Sequence, residues 1–258
     1  MRTVLNFFLL LSGFLWLQDL SGQDTIQSEN KYPEGIYAEY SLGRLAFKDQ
    51  YISKEKYAGP IAQYRFGWAR EHEKYIYRLR FSYGFSDQIK NNNARTSITQ
   101  VMLNQGFLYP LKPAQLFHKD LHIFLGPSTD FIYFFNEPDI AVAGFDYSQS
   151  FAAMLSVGLN TDVVYPITQK FQIESFLSLS VLSFTFRAVD SDEDDASPAK
   201  LLTLFKGLNG TFDFGARYFI VNNFSLRVAY EFQLLTISPW DPITAASDHL
   251  VFGLTYSF

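Results

Sequence analysis

At 258 residues, with 27 Phe, 16 Tyr, a net charge of −5 and no Cys, the chain falls outside several classes before any motif is read. A mean hydropathy of −0.03 is too polar for a bundle of membrane helices, and the acidic balance opposes binding to nucleic-acid phosphates. The absence of Cys removes disulfides, thiolate metal sites and cysteine nucleophiles.

The first element is a leader. Arg2 precedes an apolar run from Phe7 to Leu17 that ends in Ser21 and Gly22, which reads as a secretory signal peptide over residues 1–22, too short to span a bilayer as a helix. Residues 23–34 are polar and carry no period. From residue 35 to 258 the pattern is that of one all-β domain.

Ten segments alternate apolar and polar residues: Ile36 to Leu45, Pro60 to Arg70, Lys74 to Phe85, Thr96 to Tyr109, Asp120 to Phe135, Ser150 to Tyr165, Phe171 to Phe186, Leu204 to Ile220, Phe224 to Leu234 and Leu250 to Phe258. The connections alternate too. Glu71 to Glu73, Pro166 to Lys170 and Val221 to Asn223 are tight; Ala46 to Gly59, Gly84 to Arg95, Asn136 to Gln149, Arg187 to Thr203 and Thr236 to Asp248 are long and polar. Pro110 to Lys119 is the exception, a long connection on the short side. An even number of strands with short turns at one end and long loops at the other predicts an antiparallel transmembrane β-barrel of ten strands, with eight as the alternative. In the seventh segment the phase slips near Val181 and Leu182, which predicts a bulge or an extension beyond the bilayer.

Alternation assigns faces. Glu39, Arg65, Arg78, Arg80, Asp130, Asp162, Glu174, Asp213, Arg217, Arg227 and Glu231 share the polar parity with Gln63, Gln100, Asn104, Asn160 and Gln233, opposite Tyr64, Phe66, Trp68, Phe212, Phe214 and Tyr230. Five arginines against six carboxylates predict a lumen filled by ion pairs, because an unpaired buried charge is costly. The alternative is that Arg65, Arg78 and Arg80 form a basic strip for an anion. Tyr109, Tyr165, Tyr218 and Tyr256 fall at strand ends, where an interfacial aromatic girdle belongs.

The last strand carries a resemblance. Leu250, Phe252, Leu254, Tyr256 and Phe258 alternate with small residues up to a terminal aromatic. This resembles the closing strand of Gram-negative outer-membrane β-barrels, and the aromatic- and asparagine-rich strands look like those of barrels from Bacteroidota. The resemblance implies outer-membrane localisation after export, Tyr256 and Phe258 as the signal read by the barrel-assembly machinery, and contact with outer-membrane lipid and lipopolysaccharide. It implies no cofactor, and it leaves the oligomeric state open.

No constellation of residues specifies a reaction. Some ten-stranded outer-membrane proteases, the omptins, carry an Asp/His pair at the rim, and Ser247, Asp248 and His249 stand at the start of the last segment, but adjacent strand residues face opposite sides. The other candidate pairing for a hydrolase is His249 with Asp130, both expected inward and in the outer half. His72, His118 and His122 fall in or near turns, and the run Asp190 to Asp195 lacks the Gly and distal Glu of a calcium loop. Three functions therefore stand: a non-catalytic barrel with a plugged lumen acting through its outer loops or within an envelope assembly, a narrow channel or conduit for a small or hydrophobic solute, and an embedded hydrolase.

Overall fold

A computed structural model describes residues 34–50, 55–92, 94–139, 150–188, 199–221, 223–238 and 242–258. The expected signal peptide, the polar segment after it except Glu34, and the acidic run from Asp190 to Asp195 lie outside these residues.

Among the described residues twelve strands form, in chain order β1 (Gly35–Asp49), β2 (Tyr57–Glu71), β3 (Ile76–Lys90), β4 (Arg95–Pro110), β5 (Ala114–Leu116), β6 (Lys119–Asp139), β7 (Ser150–Thr168), β8 (Phe171–Ala188), β9 (Ala199–Thr203), β10 (Gly207–Val221), β11 (Phe224–Ile237) and β12 (Ile243–Tyr256). Ten of them make a closed antiparallel barrel. Sequential neighbours pair, β1 pairs β12, and β8 pairs β10. The other two are local. β5 pairs only β6, folding the long connection after Pro110 into a hairpin, and β9 continues the β8 ladder from Leu182↔Thr203 upward before a turn leads into β10. The hairpin tip holds Phe117 and His118 at φ of 48° and 66°.

The bulge falls where the phase slip placed it. Val157 pairs Leu182 and Gly158 pairs Ser180, so Val181 is the extra residue. Nearby, the backbone ladder between β8 and β10 gives way to a side chain, and the Asn209 amide donates to Ser180 Oγ at 2.7 Å.

The strands run farther toward the loop end than the alternation of polarity indicated. The last strand begins at Ile243 instead of Leu250, so most of the expected loop from Thr236 to Asp248 is strand, and β1 and β2 similarly absorb much of Ala46 to Gly59. The reason lies inside the barrel. Leu45, Phe47, Tyr57, Phe134, Ile237 and Ile243 belong to a buried apolar cluster that fills the loop end of the lumen. Outside that level on β1 and β12 stand Arg44, Lys48, Thr244 and Asp248. The inward parity is unbroken, but its chemistry inverts from polar to apolar, which erased the contrast used to read the segments.

Candidate functional site

The lumen is layered. All eleven charged residues assigned to the polar face are buried on the inside, below the apolar cluster. Tyr64, Phe66, Phe212, Phe214, Leu226 and Tyr230 are 43–56% exposed on the outside. A second, smaller apolar cluster of Ala69, Ile76, Leu108, Phe124 and Val164 lies toward the turn end.

Pairing across strands is nearly complete. Glu231 of β11 accepts from both Arg65 of β2 and Arg80 of β3. Arg65 also donates to Gln63 Oε1 at 2.9 Å and lies 3.8 Å from Glu39. Arg227 bonds Asp213, Glu39 at 2.9 Å and Glu174 at 3.0 Å. Arg217 is the direct cross-strand partner of Arg227, a like-charge pairing that would cost free energy if left alone. Glu174 lies across both guanidiniums, accepting from Arg217 at Oε1 and, at 3.1 Å, at Oε2. Arg78 reaches both oxygens of Asp162 at 2.7 Å. The expected basic strip of Arg65, Arg78 and Arg80 is therefore not an open anion site, since each guanidinium lies against a carboxylate.

Asp130 differs from the other five carboxylates. Its Oδ1 accepts from Asn104 Nδ2 at 2.6 Å, and Asn160 donates to Asn104 Oδ1 at 3.1 Å, so an amide chain takes the place of an arginine. Its Oδ2, like that of Asp213, is buried without a partner. A cavity of about 30 Å³ adjoins it, enough for one or two waters. A larger one of about 60 Å³ lies among Glu39, Arg78, Asp162, Glu174 and Arg227. Phe176 and Arg80 line both cavities and partition them. The Phe176 ring lies under the Arg78 guanidinium at 3.7 Å, a cation–π contact inside the polar layer.

Two features escaped the sequence reading. Phe176 has the same parity as Glu174, so its inward position was available from alternation. The Asp49–Arg187 pair, fully buried at the loop end and joined by Ser150 Oγ at 2.7 Å from Asp49, was hidden because both positions were read as loop.

His249 does not stand at a rim. It lies midway along β12, 1% exposed, with Nε2 3.0 Å from Ser247 Oγ and Nδ1 3.5 Å from Ser41 Oγ. Asp248 points outward, in register with Arg44. Asp130 is likewise in the middle of its strand, so neither member of the proposed hydrolase pair reaches the outer half. Tyr256 contacts Phe224 at 5.0 Å and Phe258 at 6.4 Å on the outer face at the turn end. Among the described residues no group of three or more His, Cys, Asp or Glu could hold a metal ion.

Similarity to solved structures rests on this same barrel. The outer membrane protease OmpT from Escherichia coli is 11% identical over 91% of this chain and 99% of its own, with a TM-score of 0.52. The fold is that of an outer-membrane β-barrel. The translocator domain of the autotransporter NalP from Neisseria meningitidis is 10% identical, covering 89% of this chain and 90% of its own at a TM-score of 0.44. No protein-family model matches the sequence, and no curated protein does.

Proposed function

We propose that this chain is a non-catalytic outer-membrane β-barrel with a closed lumen, which acts through its outer surfaces. The observation that carries the reading is the stacking of two different seals. An interlocked layer of five arginines and their carboxylates fills the middle, and fifteen buried apolar side chains close the loop end. An ion crossing the first would have to break several charge-assisted bonds, and crossing the second would strip its hydration against apolar side chains. The turn end, with Tyr109, Tyr218 and Tyr256 outward, is then the periplasmic end.

The buried setting of His249 supports the non-catalytic reading, because a general base must reach a substrate. The test is planar-bilayer conductance of refolded protein whose barrel has been verified by heat-dependent gel mobility. A silent bilayer is expected. Discrete, salt-dependent openings would overturn the closed-lumen reading in favour of a narrow channel.

A further inference from the structure

One turn-end connection is out of proportion to the rest. Tight turns reverse the chain after Glu71 and after Val221, whereas between β4 and β6 the connection from Pro110 to Lys119 folds as a hairpin of its own. This hairpin has two chemical faces. Its ladder sets Ala114 opposite Leu121, Gln115 opposite Asp120 and Leu116 opposite Lys119, and the Leu111 amide donates to the Ile123 carbonyl at 2.8 Å. Cross-strand partners share a face, and β6 sends Phe124 inward and Leu125 outward. Leu111, Leu116, Leu121 and Ile123 therefore continue the outward side of the wall, with Gln115, Asp120 and His122 behind them.

Two bonds to the neighbouring β7–β8 turn fix the hairpin's height. Tyr165 Oη donates to the Leu116 carbonyl at 3.0 Å, and Lys119 Nζ donates to the Ile167 carbonyl. They hold the tip level with that turn, about three residues or roughly 7 Å below Tyr165, which stands in the interfacial girdle. A headgroup layer is roughly 5–8 Å deep, so the tip ends inside it. There Phe117 and His118 hold positive φ, and the Phe117 ring is 83% exposed. The ladder and the two anchoring bonds hold the hairpin, which leaves this ring without a packing role inside the barrel. Lys112, next to Leu111, and Lys170, in the β7–β8 turn, are exposed as well.

On the reading of this chain as an outer-membrane barrel, we propose that the β5–β6 hairpin is a foot on the membrane surface: its apolar face and Phe117 lie in the headgroup layer at the turn end, and Lys112, Lys119 and Lys170 attract the phosphates of anionic phospholipid. Charge selects this occupant. In a chain of net charge −5 the hairpin carries Lys112 and Lys119 against Asp120 alone, and Lys170 adds a cation from the turn to which the hairpin is bonded. Asp120 has the parity of the opposite face. Apolar side chains flanked by lysines at headgroup depth gain both from burial and from attraction to anionic lipid. A zwitterionic surface offers only the first.

The absence of cysteine allows a clean test. Phe117→Cys and, in the turn after β2, Glu73→Cys are each labelled with a small fluorophore and refolded into vesicles of phosphatidylcholine and phosphatidylglycerol, with iodide on both sides. The label at position 117 is expected to be shielded from iodide and quenched by lipid spin-labelled in the headgroup, while the label at position 73 is open to iodide. Spin-labelled phosphatidylglycerol should quench at position 117 about twofold or more better than spin-labelled phosphatidylcholine. Adding Lys112→Ser and Lys170→Ser should reduce that preference. Iodide quenching at position 117 equal to that at position 73 overturns the proposal. So does equal quenching by the two lipids, or a preference unchanged by the two lysine substitutions. Failure of the barrel reading itself would show separately, as lost heat-dependent gel mobility and as iodide access to a label on Phe66→Cys in the middle of the wall.

Discussion

Replacing Glu231 by Gln removes a carboxylate that Arg65 and Arg80 share. Glu231 is fully buried, as is Arg65, and Arg80 is 7% exposed. The amide keeps the shape and one acceptor oxygen but no charge, so both guanidiniums lose their principal counter-ion at once. Arg65 retains Glu39 only at 3.8 Å, and Arg80 retains the Phe176 face at 5.7 Å. Breaking one buried pair costs about 3–5 kcal/mol, and the two pairs share a centre, so the loss is expected at or slightly above the upper end of that range. With a urea dependence of about 2 kcal/mol per molar, the unfolding midpoint in lipid vesicles should fall by about 2 M. Adding Arg80→Gln to the same chain removes one of the stranded cations and should recover at least half of the loss. A Glu231→Gln barrel within about 1 kcal/mol of wild type, or a double variant less stable than the single, would refute the claim that ion pairing holds the lumen.

Other substitutions discriminate between layers. Asp130→Asn should change stability by less than about 1 kcal/mol, because the Asn104 amide still finds an acceptor and no arginine is left behind; the same urea titration measures it. Phe134→Ala, in the apolar layer and 1% exposed, should cost about 3–5 kcal/mol while leaving the bilayer silent, since the charge layer below is untouched. At the hairpin tip, where Phe117 and His118 hold positive φ, Phe117→Asn combined with His118→Gly should slow proteolytic nicking between β5 and β6, because Asn-Gly adopts this turn with less strain. Faster nicking would show that the Phe117 ring is itself holding the hairpin.

Alternation was sufficient where lipid-type and lumen-type residues face each other across the wall. Arg78 and Arg80 against Tyr77 and Leu79, or Glu231 against Tyr230, leave no doubt about which side is which, and the slip at Val181 was visible because one extra residue reverses the parity. Toward the loop end the same reading failed. Phe47 beside Lys48 and Ile243 beside Thr244 still alternate, yet with the greasy side chain inward, so a rule that equates polar with inside discards them as loop. Which arginine meets which carboxylate was beyond sequence altogether. Arg80 and Glu231 are 151 residues apart, and the register at which β12 closes on β1 sets β11 and β3 within reach of each other.

The inverted chemistry at the loop end also makes the lumen electrically one-sided. Hydrogen-bonded side chains and small cavities run from the turn-end half up to Gln63, Gln233 and His249, and there the continuous polar layer meets the apolar cluster, beyond which polar side chains stand as separate pairs such as Asp49–Arg187 and Thr96–Asn136. On the proposed orientation the ion-pair layer lies nearer the periplasmic side, and the outside medium meets the loops and the upper wall.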